Sequence, residues 1–223
     1  MTDIDAFARA RRPEQKALRR AAILDAARTL AVEEGVRNVT LGRVADAVGL
    51  AKSNIARYFA TREDIYLELA AEGWQDWARA VHRRLDRADG SIDGIIRALT
   101  DPMIRRPLLC DLLGQTATTL EHNASLEAVR RFKLQVVRHL EELSAAVVAS
   151  HGGLTSGEGL DLVAGTTILA GALWPMANPP ATVAALYATE PTIAALACIE
   201  FGPTLRRVIA QLAYGLPSLR RCG

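Results

Sequence analysis

Thr40-Leu41-Gly42-Arg43-Val44-Ala45-Asp46-Ala47-Val48-Gly49-Leu50-Ala51-Lys52-Ser53-Asn54-Ile55-Ala56-Arg57-Tyr58-Phe59 reads as two short helices joined at a glycine. Counted from Leu41 as position 1, Val44 and Val48 fall at positions 4 and 8, one turn apart on the inner face. Ala45 at position 5 is small enough for a second helix to cross closely, and Gly49 at position 9 can take the positive φ of a tight turn. Leu50, Ile55 and Tyr58, at positions 10, 15 and 18, close the same small core from the other side. Such a pair holds its second helix at a steep angle, free to enter a major groove. Thr40 is an N-cap for the first helix, expected over 41–48; the second is expected over 52–59.

Outward from this pair, helical periodicity continues in both directions. Upstream, 14–34 is one long pattern that Gly35 stops. Downstream, the expected helices are 63–87, 92–99, 107–120, 126–150, 160–175 and 192–214. Asp89-Gly90, Asp101-Pro102, a polar run at 121–125, His151-Gly152-Gly153 and Asn178-Pro179-Pro180 separate them. Pro203 is expected to kink or split the last. With half the residues apolar and 5% aromatic, the composition agrees with an all-α fold. The division expected is a helix-turn-helix DNA-binding domain over 1–60, with a basic tail over 1–14, and a helical body over 61–223, to which the family resemblance set out below assigns ligand binding and dimerisation.

Charge is distributed unevenly. Residues 1–62 carry 12 Lys/Arg and 7 Asp/Glu, a net of +5; residues 63–223 carry 15 and 18, a net of −3. A basic quarter on a mildly acidic body points to one segment that meets a polyanion. Arginine outnumbers lysine 24 to 3. Cys110, Cys198 and Cys222 form no zinc pattern, so no metal or other cofactor is expected; the first two sit in apolar runs and read as core residues. The first ten residues are not a signal peptide, and a cytoplasmic protein is expected. The uncharged run 162–189 is broken by prolines, its first proline-free piece being the 13 residues 162–174, so no membrane span is expected.

Enzyme signatures are absent. There is no GxSxG, Gly157-Glu158-Gly159 lacks the third glycine of a dinucleotide fingerprint because Leu162 stands there, and His82, His122, His139 and His151 show no HExxH spacing. His82 and His139 lie on charged helices and read as solvated. The competing reading is a helical interaction or scaffold protein whose helix pair has no regulated DNA role.

The run 39–55, with Tyr58-Phe59 and Thr61-Arg62-Glu63-Asp64-Ile65, and upstream Ile23-Leu24-Asp25-Ala26-Ala27 and Glu33-Glu34-Gly35-Val36, resembles the TetR family of bacterial regulators over about residues 15–70. The resemblance implies about nine helices, the first three reading DNA and the rest binding a ligand and pairing two chains. It also implies a repressor released from a palindromic operator by a small molecule. One residue departs from the family pattern: Ala56 stands where a phosphate-touching tyrosine is common, so that contact is lost or passes to Arg57 or Tyr58.

By chemistry, Asn54 and Arg57 are the base readers expected, since amide and guanidinium bond bidentately to adenine and guanine. Ser53 shares their exposed face. Lys52, Tyr58, Thr40, Arg43 and Arg62 are expected at the backbone or, for Arg43, a base edge. Arg9, Arg11, Arg12 and the run Lys16, Arg19, Arg20 are further phosphate candidates. For the ligand the candidates are Trp74, Trp77, Met103, Leu112, Leu113, Gln115, Thr116, Thr119, Phe132, Val136 and Trp174, which mix apolar bulk with a few polar groups and imply a lipophilic inducer. A two-fold homodimer is expected through about 160–177 and 192–214.

Overall fold

The computed structural model describes the backbone of residues 3–219 and the side chains of residues 14–218, and all regular structure among them is helical. Helix α1 (Asp3–Glu34) ends where Gly35, at φ 81°, turns the chain and donates its N–H to the Ala31 carbonyl at 2.9 Å. A 3₁₀ turn (Val36–Asn38) leads into α2 (Leu41–Ala47) and α3 (Lys52–Ile55). The second motif helix is shorter than expected. Beyond Ile55 the chain tightens, Arg57 N–H reaching the Asn54 carbonyl at 3.3 Å and Tyr58 N–H the Ile55 carbonyl at 2.8 Å.

Helix α4 (Arg62–Leu85) is capped by Thr61, whose Oγ1 accepts the Asp64 N–H at 3.1 Å, and carries Glu63 and Asp64 at its positive end. The body continues with α5 (Ile92–Ile104), α6 (Pro107–Gln115), a π-helical turn (Thr116–Leu120), α7 (Glu121–Asn123), α8 (Leu126–Ser150) and α9 (Ser156–Ala177). Helices α10 (Ala181–Thr189), α11 (Pro191–Ala197) and α12 (Phe201–Leu219) complete it. The core runs along α4, where Trp77 donates Nε1–H to the Leu99 carbonyl at 3.1 Å and meets Trp74 edge-on at 5.4 Å.

Two prolines behave differently from expectation, and a third, Pro203, stands at a split as expected. Helix α5 runs through Pro102, which costs the Ala98 carbonyl its i+4 partner without ending the helix. Helix α9 runs through Pro175, so the apolar segment is longer than its proline-free piece. By length and composition alone Ser156–Ala177 could cross a membrane. Here it is packed against α6, α8 and α12, burying Leu162, Val163, Thr166 and Ala170. The expected helix 192–214 is broken at residues 198–200, ahead of Pro203, which sits in the first turn of α12 where its missing N–H costs nothing. Helix α10 was not expected at all.

Two further expectations are corrected. Cys110 is buried, and burial pushes its thiol up to about 12, which leaves it inert; Cys198, however, is exposed, and Cys222 lies outside the described residues. His139 is buried rather than solvated, and that burial makes it harder to protonate.

Candidate nucleic-acid interface

The head is built as the spacing of its residues requires. Thr40 Oγ1 accepts the Arg43 N–H at 3.3 Å and starts α2. Val44 and Ala45 turn inward with no more than 1% exposure, and Ile55 and Phe59 meet them from the other side. Val48, Leu50 and Tyr58 are half-buried at the edge of that core. Gly49 takes φ 65°, and the Leu50 N–H then closes the elbow on the Ala45 carbonyl at 3.0 Å. A Cβ at Gly49 would touch nothing, so backbone conformation alone asks for glycine here.

With Ile55 and Phe59 committed inward, Lys52, Ser53, Asn54 and Arg57 are all exposed on the opposite side of the α3 segment. None of them has an ion pair or side-chain hydrogen bond among the described residues. Arg43 is exposed too and ion-pairs with Glu34 at 2.6 Å. Beside Arg57 and Tyr58 lies a recess of about 340 Å³, closed from the α1 side by Gln15, Lys16 and Arg19. Lys16 and Arg19 are three residues apart on one helix face, which is the signal that aligns them with Arg57. The structure therefore gathers Lys16, Arg19, Arg57 and Tyr58 into one basic hollow next to Lys52 and Asn54.

Two expected phosphate contacts are instead internal. Arg62 donates Nε–H to the Val39 carbonyl at 2.5 Å and a second N–H to the Val36 carbonyl, pairs with Glu63 at 2.9 Å and lies over the Tyr66 ring. Its side chain is only 16% exposed. It satisfies carbonyls left open where the chain turns from α1 into α2. Arg20 pairs with Glu68, donates to the Tyr58 carbonyl at 2.6 Å and stacks on Phe59 at 4.0 Å. Arg9, Arg11 and Arg12 lie outside the residues whose side chains are described.

The head is fastened to the body by two carboxylates that the sequence did not single out. Asp64, 6% exposed, accepts the Ser125 N–H at 2.7 Å and the Ser125 hydroxyl at 2.9 Å. Asp111 on α6 accepts the Val36 N–H at 2.9 Å and the Gln115 amide at 2.8 Å, at the start of the π-helical turn. Each joins a residue distant in sequence, so neither leaves a local pattern to find.

The expected ligand residues are mostly core. Trp74, Trp77, Met103, Leu112, Gln115, Thr116 and Phe132 are buried; Leu113, Thr119, Val136 and Trp174 are half-buried. Thr116 returns its hydroxyl to the Leu112 carbonyl at 2.7 Å, and Trp174 packs edge-on against Phe201. Only Phe132 lines one of the recesses described in this protein, a polar one of about 400 Å³ between α4 and α8. Another recess, of about 910 Å³, lies between α4 and α5, and none of the expected ligand residues lines it.

Comparison with known proteins agrees with this architecture. The model described as "Bacterial regulatory proteins, tetR family" matches residues 23–69, and that described as "Tetracyclin repressor-like, C-terminal domain" matches residues 71–219. The HTH-type transcriptional repressor AcnR of Corynebacterium diphtheriae is 28% identical over 131 residues, which span 59% of this chain and 62% of that repressor. A possible TetR family regulator from Streptomyces coelicolor superposes with a TM-score of 0.59 at 21% identity, covering 90% of this chain and 99% of the other. The fatty acid degradation regulator FadR of Bacillus halodurans superposes with a TM-score of 0.56 at 15% identity, covering 87% and 94%. At these identities the two structures share the fold. With both family models matched end to end from head to body, the chain belongs to the TetR family of bacterial transcriptional regulators, DNA-binding proteins and not enzymes.

Proposed function

We propose that the chain is a cytoplasmic, homodimeric repressor that holds a palindromic operator through α3 and leaves it when a small molecule binds the body. The observation that carries this reading is the solvent-facing set Lys52, Ser53, Asn54 and Arg57, left unpaired among the described residues on the outer side of a well-formed helix-turn-helix. Asn54 and Arg57 read base edges. Lys52, Tyr58, Thr40 and Arg43 hold the backbone, joined by Lys16 and Arg19 across the hollow that adjoins Arg57. The lost tyrosine at position 56 is compensated there, since Arg57 and Tyr58 both line that hollow. Arg62 drops out of the contact set. The division near residue 60 is one of role, because α4 begins under the head and ends deep in the body.

Selection of bound sites from random DNA with purified protein tests this directly. A palindrome should emerge, its half-sites about one helical turn apart. Arg57→Ala should then weaken binding by about 1–3 kcal/mol and relax base choice in each half-site, as read by gel shift on the selected site and its single-base variants. Affinity should fall steeply between low and moderate salt. A flat salt response with no selected sequence would favour the scaffold reading.

The dimer surface is proposed with one change from the sequence expectation. Helix α12 commits Leu205, Ile209, Ala213 and Leu216 to its own protomer, while Arg207, Gln211 and Tyr214 remain exposed on its other side. What stands open is a stripe on α9, Leu160, Ile168, Ala172 and Met176, in register with the half-buried Ala164 at a spacing of four residues, with Ile168 68% exposed. Helices α10 and α11 bury nothing at all, although they carry Leu186, Ile193 and Leu196. Apolar surface on that scale asks for a partner, and a second copy supplies it with the two-fold symmetry a palindrome needs. Ile168→Glu should yield a monomer at micromolar concentration by sedimentation and lower operator affinity with it. A wild-type chain that sediments as a monomer would sink the dimer.

Most of the residues expected to meet a lipophilic inducer are buried in the core, and the effector proposed for this chain is a small molecule without that restriction.

A further inference from the structure

Six arginines converge on the 910 Å³ cleft between α4 and α5. Arg83 and Arg84 come from the last turn of α4, Arg87 from the turn that follows it, Arg97 from α5, and Arg105 and Arg106 from the connection to α6. The cleft exists because small residues face one another along it. Ala80 and Ala88 on the α4 side and Gly94, Ala98 and Pro102 along α5 leave the floor low while the arginines form the walls.

These cations are poorly neutralised. Arg84 pairs with Asp101 at 3.1 Å, but Asp101 is shared with Arg206. Arg106 is held by carbonyls, of Pro102 at 2.6 Å and Asp76 at 3.0 Å, and hydrogen-bonds no carboxylate among the described residues; burial makes it easier to deprotonate than a free arginine, against the opposing charge of Asp76 and with the help of Arg83. Arg83, Arg87, Arg97 and Arg105 have no ion pair among the described residues. The one carboxylate lining the cleft, Asp89, is turned to the Ser91 hydroxyl and N–H at 2.5 and 3.0 Å. In a body with more acids than bases, six guanidinium groups in one concave site repel each other and focus a positive field.

We propose that this cleft binds a small polyanion, a compact molecule carrying several phosphate or carboxylate groups, and that it is the effector site of the regulator. The planar forks of Arg83, Arg97 and Arg105 match such oxygens two at a time. A single anionic group reaches one wall; several groups span both, drawing the end of α4 toward α5. Helix α4 is also the lever under the head, where Glu68 and Glu72 hold Arg20 and Arg28 of α1, and Asp64 holds Ser125. Its last turns lie roughly 30 Å from its first, so an occupant acts on the head at a distance from the DNA. The effector role rests on the DNA-binding reading given above; the binding site itself does not.

Calorimetry and thermal melting of the full chain test it, with sodium tripolyphosphate and with propane-1,2,3-tricarboxylate as probes at matched ionic strength. At least one probe should saturate a single site per protomer with a dissociation constant below about 1 mM. Which of the two binds identifies phosphate or carboxylate as the recognised group. Arg83→Ala/Arg97→Ala/Arg105→Ala should fold, melt no lower than wild type without ligand, and bind at least about tenfold more weakly. On a selected operator, the probe should change wild-type DNA affinity and leave that of the triple variant unchanged. The site is overturned if neither probe saturates by about 10 mM, if the triple variant binds as well as wild type, or if Lys52→Ala/Arg57→Ala abolishes probe binding instead. Saturable binding with no change in DNA affinity would overturn the effector role alone. Operator binding without any anion binding would sink this site and leave the DNA-binding reading standing.

Discussion

Gly171→Ala should lower the stability of the folded chain by about 3 kcal/mol, an unusually large cost for one methyl group. Gly171 on α9 faces Gly114 on α6 where the two helices cross. A Cβ at Gly171 would stand 2.8 Å from the Leu113 carbonyl carbon and 2.9 Å from the Gly114 nitrogen; one at Gly114 would stand 2.7 Å from the Gly171 carbonyl oxygen. The obstructing atoms are backbone on both sides, so no side chain can rotate away. The helices must separate, and the contacts between α6 and α9 that centre the body go with them. Gly114→Ala should cost a similar amount, and the double variant less than the sum, because the first methyl already forces the crossing apart. Gly215→Ala is the control. It meets nothing within 4 Å on α12, so the gain in helix propensity should leave it neutral or slightly stabilised. Urea denaturation at fixed protein concentration reads all four; a Gly171→Ala variant as stable as Gly215→Ala would show that the crossing tolerates a wider spacing.

That crossing also marks a limit on what the sequence discloses. The head was legible because its determinants are local. Gly35 and Gly49 need positive φ, Thr40 caps the next residues, and Val44, Ala45 and Ile55 lie within twelve residues of one another. Helix α8 was legible for the same reason, bounded by the cap at Ser125 and by His151-Gly152-Gly153. Prolines misled, since Pro102 and Pro175 sit where packing outweighs one lost hydrogen bond. Charges misled more. Arg20 and Arg62 look like surface cations in one dimension, and only the fold brings Glu68 and the Val36 and Val39 carbonyls to them. The arginine cleft was hidden twice over. Its residues are spread across two helices and a loop, and the search for a ligand site favoured aromatic and apolar side chains, which in this chain fill the core.

The same long-range charges set the second large effect. Asp64→Ala should cost about 3 kcal/mol, since Asp64 is buried and its carboxylate is the acceptor for Ser125 N–H and hydroxyl, for Thr61 Oγ1 at 3.0 Å and for Ala60 N–H at 3.3 Å. Alanine takes the shared acceptor from two N–H groups and two hydroxyls at once in a part-buried site, and that combined loss exceeds the modest net worth of any one bond. The midpoint of thermal unfolding should fall by roughly 6–12 °C for a chain of this size. Asp64→Asn retains one acceptor oxygen of the same shape and should lose only about 1 kcal/mol. The cost is paired with a functional consequence, because Ser125 opens α8 and Asp64 opens the lever that carries the head. An Asp64→Ala protein that folds should bind its operator while responding less to any effector of the body, whereas Asp64→Asn should keep the response. If alanine and asparagine melt together within a degree or two of wild type, the carboxylate is not what fastens the head to the body, and the fastening passes to Asp111 and Val36 on the other side.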